Sequence, residues 1–199
     1  MLELEHLKQR KHLQRVVLLQ LIYQIQQAMY VGDRSRRKIV IIDEAWDLLT
    51  SGEVGKFIET GYRRFRKYNG AAIVITQSLG DLYTNPVGEA ITANSAITFQ
   101  LAQQGRTLEM LAGQQKLPGS IGLDTLKSIH TAPGRYAELA IMSNHGSGVA
   151  RLVVSPFLQL LYSTKPEDVA AIAALRGQGL SLEAAIETLV QRRQRQAAA

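Results

Sequence analysis

An α/β fold is predicted: a mostly parallel sheet flanked by helices, followed by an antiparallel hairpin and closing helices. Three observations predict it. "KIVIID" and "AAIVIT" are continuous apolar, β-branched runs of strand length, the pattern of strands buried on both faces of a parallel sheet. Segments of helical periodicity precede each run, so helix and strand alternate as in βαβ units. "RYAELAIMSNHGSGVARLVVS" sets two strand-like runs on either side of "NHGSG", a hairpin signal.

In chain order, residues 7–30 place Leu13, Val16, Val17, Leu19, Leu21, Ile22, Ile25 and Met29 at mostly i, i+3, i+4 spacing. That spacing predicts a long helix with a broad apolar face, ended by Gly32. The first strand follows at 39–42. Residues 53–68 predict a second helix, with Val54, Phe57, Ile58, Gly61, Tyr62 and Phe65 on one side. Arg63, Arg64, Arg66 and Lys67 fall largely on the other side, and Asn69-Gly70 supplies a C-cap. The second strand spans 71–76. A polar loop, "QSLGDLYTNPVG", then leads to a short helix at 89–94, a third strand at 96–101 and a short helix at 106–112. After the hairpin at 135–155, residues 165–176 and 181–195 close the chain as helices, the second opened by Ser181.

Composition narrows the function classes. With 199 residues, 46% hydrophobic and 20% charged, the chain fits one globular domain of ordinary size. No apolar run approaches the ~18 residues of a membrane span. The best run, from Val16 to Tyr23, is short and interrupted by Gln20. The N-terminal "MLELEHLKQRKH" carries charges where a secretory signal needs an apolar core. There is no cysteine, so disulfides and thiolate metal sites are excluded, and the expected setting is cytoplasmic. His6, His12, His130 and His145 show no metal-binding spacing, so no histidine metal site is expected. The net charge of +6 and pI near 9.7 gather in "RSRRK", "RRFRK" and "QRRQRQ", which suit either an anionic partner or solvated helix faces.

The first strand carries the chemistry. Ile39–Ile42 end in Asp43 and Glu44, the Walker B pattern of P-loop ATPases. The strand is apolar because it runs through a sheet, and its terminal carboxylate Asp43 suits Mg²⁺ held through water or a hydroxyl. Glu44 next to it suits a general base that activates water against the γ-phosphate. The same pair also suits the N-terminus of a helix starting near Ala45, whose dipole favours carboxylates. The second strand ends at Gln77, beside Glu44 if the strands are parallel neighbours. A glutamine there can orient the attacking water, or it can merely open a turn. Two matched strand ends joined by a helix favour the site over the cap.

No G-x-x-x-x-G-K-[ST] occurs in the 199 residues. In "SGEVGK", Phe57 stands where the Mg²⁺-binding hydroxyl belongs. The chain thus offers a catalytic edge without a phosphate cradle, and its affinity for nucleotide in isolation is expected to be poor. Arg63, Arg64 and Arg66 are candidates for an arginine finger or a partner contact, with Arg135 and Arg151 beside the hairpin as further candidates. An exposed basic helix face is the alternative. Trp46 is expected to anchor the core.

Taken together, "LELEHLKQRKHLQRVVLLQLIYQIQQAMY", "KIVIIDEAWDLL", "RRFRKYNGAAIVITQSLGDLY" and "ARLVVSPFLQLLYSTKPEDVAAIAALRGQGLSLEAAIETL" resemble the C-terminal part of the TraC-type ATPases of conjugative type IV secretion systems. The resemblance runs over nearly the whole chain. It implies a partial RecA-like P-loop NTPase core related to the HerA/FtsK motors, from Walker B onward and without Walker A. Residues 1–199 would be the C-terminal portion of that ATPase domain, and 165–199 its helical extension. Asp43 and Glu44 match the family's Walker B, and Gln77 its following strand-end glutamine. ATP and Mg²⁺ are the implied cofactors, bound only together with a P-loop portion. The implied assembly is a homo-hexamer in the full-length protein, cytoplasmic and peripheral to the inner membrane. There it would meet the secretion channel and coupling proteins and energise pilus assembly and substrate transfer. DNA is a further partner that the basic helices suit, and a non-catalytic module binding DNA or channel partners is the alternative function. The chain is expected to be a fragment of a longer protein or a split or truncated product, inactive by itself.

Overall fold

The structure is a computed structural model that describes residues 10–44, 52–83, 85–117 and 121–197. Residues 7–9 of the first predicted helix, and Ala45 and Trp46, lie outside these. Helix α1 spans Lys11–Gln26 and continues into a π-helical turn, Gln27–Val31, ended by Gly32. Strand β1 is Lys38–Ile42. Helix α2, Gly52–Arg64, runs into a 3₁₀ turn, Phe65–Tyr68, which ends at Asn69 in the left-handed conformation (φ 57°). Strand β2, Gly70–Val74, follows at once. A Cβ on its first residue, Gly70, would run into the Met29 thioether from the π turn above it, so a larger residue there requires that side chain to shift.

Strands β1 and β2 pair in parallel and in register, from Lys38 opposite Gly70 to Ile42 opposite Val74. Val40, Ile42, Ala72 and Val74 turn inward against α1 and α2. There Met29, Phe57, Ile58, Phe65 and Ile91 form the first core, each buried side chain contributing about 1.5–3 kcal/mol. The other face of the pair is open, with Ile39 and Ile41 each more than 60% exposed. Among the described residues α1 and α2 cover one side only, so the expected burial of these strands on both faces is not met within them.

The segment after β2 is helical where a loop was expected. Helix α3 is Leu79–Tyr83, and α4, Pro86–Asn94, starts earlier than predicted because the Asn85 side chain caps it through the Gly88 amide at 2.8 Å. Strand β3, Ile97–Leu101, and helix α5, Gly105–Gly113, lie near their predicted positions. Next come α6, Leu123–Ser128, and β4, Thr131–Ala132. The hairpin consists of β5, Tyr136–Ser143, and β6, Gly146–Leu152.

The mostly parallel sheet needs correction. Among the described residues only β1 and β2 pair in parallel. Strand β3 instead joins an antiparallel four-stranded sheet, with β5 between β3 and β4 and β6 also paired to β5. The hairpin supplies β3's partner: Phe99 lies opposite Ile141 and Leu101 opposite Leu139, so β3 finds apolar cross-strand neighbours there. One face of this sheet packs Ala140 and Met142 on Leu79, Leu108, Leu111 and Leu126, the second core. Helices α7 (Pro156–Leu161), α8 (Pro166–Gly177) and α9 (Leu182–Ala197) enclose a third core around Leu160, Leu175 and Ile186.

Candidate active site

The parallel register decides where the polar strand ends meet. Ile42 and Val74 are partners, and one residue further the Ile75 amide still donates to the Ile42 carbonyl at 2.9 Å. Asp43 and Glu44 therefore leave β1 at the same edge at which Gln77 leaves β2. Both carboxylates and Gln77 are exposed. Glu44 sits at φ 50°, in the left-handed region, and its amide donates to Asp43 Oδ1 at 2.9 Å. A non-glycine residue held there costs roughly 1 kcal/mol or more, and such strain gathers at functional sites.

Gln77 is placed by the start of α3. The Ser78 amide donates to Asp81 Oδ2 at 3.3 Å, and the Gly80 amide to Ser78 Oγ at 3.1 Å. The Leu79 amide donates to Gln103 Oε1 at 3.1 Å, a side chain delivered by the end of β3. The open N–H groups of a helix start are thus satisfied by side chains, which fixes the turn that carries Gln77. Gln77 and Ser78 face Gln103, Gln104 and Thr107 across a polar cleft of about 320 Å³. Sequence reading missed Gln103. The signal was present, since a glutamine follows the apolar run "AITFQL" much as Gln77 follows "AIVIT".

The arginines separate into two groups. Arg63 is ion-paired with Glu59 at 2.9 Å, and Arg64 lies over the Tyr30 ring at 5.8 Å. Arg66 is exposed on the 3₁₀ turn. All three precede β2, so they stand at the opposite end of the strands from Asp43, Glu44 and Gln77, a strand length of about 16 Å away. They do not reach this chain's own carboxylates. Arg135 and Arg151 lie instead at the end of the antiparallel sheet where β3 runs out, Leu101 being opposite Leu139 and Glu138 opposite Arg151. Both are exposed, but Arg151 Nε also donates to Glu138 at 3.1 Å and its guanidinium stacks on Tyr136 at 4.4 Å. Burial of Glu138 works to raise its pKa, but the Arg151 hydrogen bond and the neighbouring His130 outweigh it and hold it below the usual glutamate value.

Among the described residues no group of three or more His, Cys, Asp or Glu is gathered to hold a metal. A single hard carboxylate such as Asp43 suits Mg²⁺, an ion that keeps several waters and takes its remaining ligands from phosphates.

A family model described as the TraG P-loop domain matches residues 1–193. The chain belongs to the TraG P-loop domain family. This TraG-family chain is 33% identical over 195 residues to Protein TraC of Escherichia coli (strain K12), across 93% of its own length and 22% of TraC. It thus spans about a fifth of that curated relative. The solved structure of VirB4 of Thermoanaerobacter pseudethanolicus matches it with a TM-score of 0.55 at 24% identity, covering 78% of this chain and 42% of VirB4. At that identity the likeness shows the fold, an α/β core shared with VirB4.

Proposed function

We propose that this chain is the C-terminal segment of the ATPase domain of a conjugative type IV secretion motor, from Walker B onward. One observation carries the reading: an in-register parallel pair brings Asp43, Glu44 and Gln77 to one edge, with Glu44 in a strained backbone. Membership of the TraG P-loop domain family and the likeness to TraC support it.

In this reading Asp43 would hold Mg²⁺, which when bound offsets the charge of the nucleotide phosphates. A Glu44 carboxylate oxygen accepts the proton of the water that attacks the γ-phosphate. The Gln77 amide orients that water, held in place by the Gln103 bond to the Leu79 amide. The phosphates themselves need backbone N–H donors and a lysine that these 199 residues do not include as a motif. A P-loop-bearing portion of the motor supplies them. The open apolar face of β1 and β2, with Ile39, Ile41, Ile73 and Ile75 exposed, supports a larger assembly in which further chain covers it.

A hexamer on the cytoplasmic side of the inner membrane, docked on the secretion channel, is the setting in which such a motor works. Among the described residues no helix is long and apolar enough to cross a membrane. In a ring, an arginine of a neighbouring copy completes the site. Arg135, on the antiparallel sheet at the end where β3 runs out, and Arg66, at the far end of the parallel pair, are the exposed candidates outside the ion pairs and ring contacts that hold Arg63, Arg64 and Arg151.

The test joins this chain to a P-loop-bearing N-terminal portion and measures steady-state MgATP hydrolysis. Gln77→Ala is expected to lower kcat by roughly 10–100-fold, the cost of a misplaced reactant, with little change in KM. An unchanged kcat removes Gln77 from the site.

A further inference from the structure

We infer that the end of the domain opposite the carboxylate edge is a binding surface for the phosphate backbone of nucleic acid. The inference does not depend on hydrolysis. It begins with two basic stretches that are distant in sequence and that the fold brings together. Arg34, Arg36 and Arg37 precede β1, while Arg63, Arg64, Arg66 and Lys67 precede β2. Because β1 and β2 are parallel and start opposite one another, Lys38 facing Gly70, both stretches emerge at the same end.

Contacts between the two stretches fix the convergence. Arg34 lies over the Tyr68 ring at 4.9 Å, and Tyr30 packs edge-on against Tyr68 with centroids 4.8 Å apart. Asn69 Nδ2 donates to the Ser35 carbonyl at 3.3 Å, and the Lys38 amide to the Asn69 carbonyl at 3.1 Å. Lys38 Nζ caps the end of the π turn through the Met29 and Gly32 carbonyls at 3.1 and 3.3 Å. The loop before β1 is thereby pinned on the 3₁₀ turn before β2, and the seven flanking cations are all exposed.

The charge balance shows how concentrated this end is. Eight of the chain's 23 Lys and Arg lie here, Lys38 included, against Asp33 and Glu59 of its 17 acidic residues. Subtracting these leaves fifteen cations and fifteen acids elsewhere, so the whole net charge of +6 resides at this end. Asp33 is occupied by the Ser35 amide and hydroxyl at 2.9 and 2.8 Å, and Glu59 by Arg63. Six of the eight cations are arginine, whose planar fork matches a phosphodiester bidentately. A membrane-seeking surface needs an apolar wedge beside its charges. Val31 is the large exposed apolar side chain recorded in the π turn and loop here, and the neighbouring open face of Ile39 and Ile41 is the one that further chain covers in the proposed function, so the surface favours nucleic acid.

The experiment follows binding of a short fluorescein-labelled DNA duplex to the chain by anisotropy, between about 50 and 200 mM KCl. Two charge-reversal pairs at exposed positions, Arg36→Glu/Arg37→Glu and Arg66→Glu/Lys67→Glu, probe the two stretches separately. Each is expected to weaken binding by roughly tenfold or more and to lower the slope of log affinity against log salt by about 2. Arg192→Glu/Arg195→Glu on α9 makes the same charge change elsewhere and is expected to keep the parent slope. Circular dichroism confirms that each variant is folded, and if one pair unfolds the other carries the test. The inference is overturned by any of three results. These are absence of binding at the lowest salt, an equal loss from the α9 pair, or capture by phosphatidylglycerol vesicles without affinity for the duplex.

Discussion

Glu44 holds its side chain on a backbone at φ 50°, and the Asp43 carboxylate ties its amide in place. Strain at a single residue is measurable when two truncations share the same loss of side chain. Glu44→Gly and Glu44→Ala both remove the carboxylate and whatever it contacts, but only glycine takes φ 50° freely. Glu44→Gly is expected to be the more stable by about 1 kcal/mol in urea unfolding. Equal midpoints would mean that the turn relaxes once the carboxylate is gone. Gln100 is a second residue under tension, 3% exposed on β3 with neither amide atom bonded among the described residues. Such a group costs roughly 1–3 kcal/mol. Its position inside the alternation of "AITFQL" gave no sign of this, because a glutamine there reads as solvent-facing.

At the scale of elements, what was legible is what local pattern controls. The apolar runs of β1 and β2, the long periodic face of α1 and the Asn69 end of α2 are all visible in short windows of sequence, and so is the shared edge of Asp43, Glu44 and Gln77. The partner of β3 was not, since an apolar run looks the same whether it pairs in parallel or antiparallel, and β5 decides the matter from far along the chain. Helices α6 and α7 have six residues each, too few to show a period. The cue for α7 was Ser155-Pro156, an N-cap followed by proline at the first helical position, with Ser155 Oγ accepting from the Leu158 amide at 3.3 Å. In the C-terminal helices Asp168 is buried at 5% exposure, bonded by Ser163 Oγ at 2.5 Å and by Arg193. The Ser163 hydroxyl first, and Arg193 second, hold its pKa below the usual aspartate value. A depressed carboxylate stabilises the fold above its unfolded pKa, near 4, and loses that contribution as pH falls through the native value. Asp168→Asn is accordingly expected to cost roughly 1.5–3 kcal/mol at neutral pH. The gap from the parent should close in acid, as followed by thermal unfolding across pH. A constant gap from pH 7 into acid would show that the carboxylate's charge is not what holds α8 to α9.

Over the whole molecule, the five-residue parallel pair separates two opposite surfaces. Carboxylates and Gln77 stand at one end, and the entire surplus of positive charge at the other. Helix α2, Gly52–Arg64, ends at the cationic end with Arg63 and Arg64. The chain spans 22% of TraC, so both surfaces belong to a larger machine in the proposed function. In the proposed function this chain contributes the water-activating half of an ATPase site. The most direct measurement joins the chain to a P-loop-bearing N-terminal portion and compares MgATP binding with turnover in the parent and in Glu44→Gln. Turnover is predicted to fall by about 10²–10⁴-fold, the range for loss of a general base, with MgATP affinity retained. Full turnover in Glu44→Gln would contradict that role.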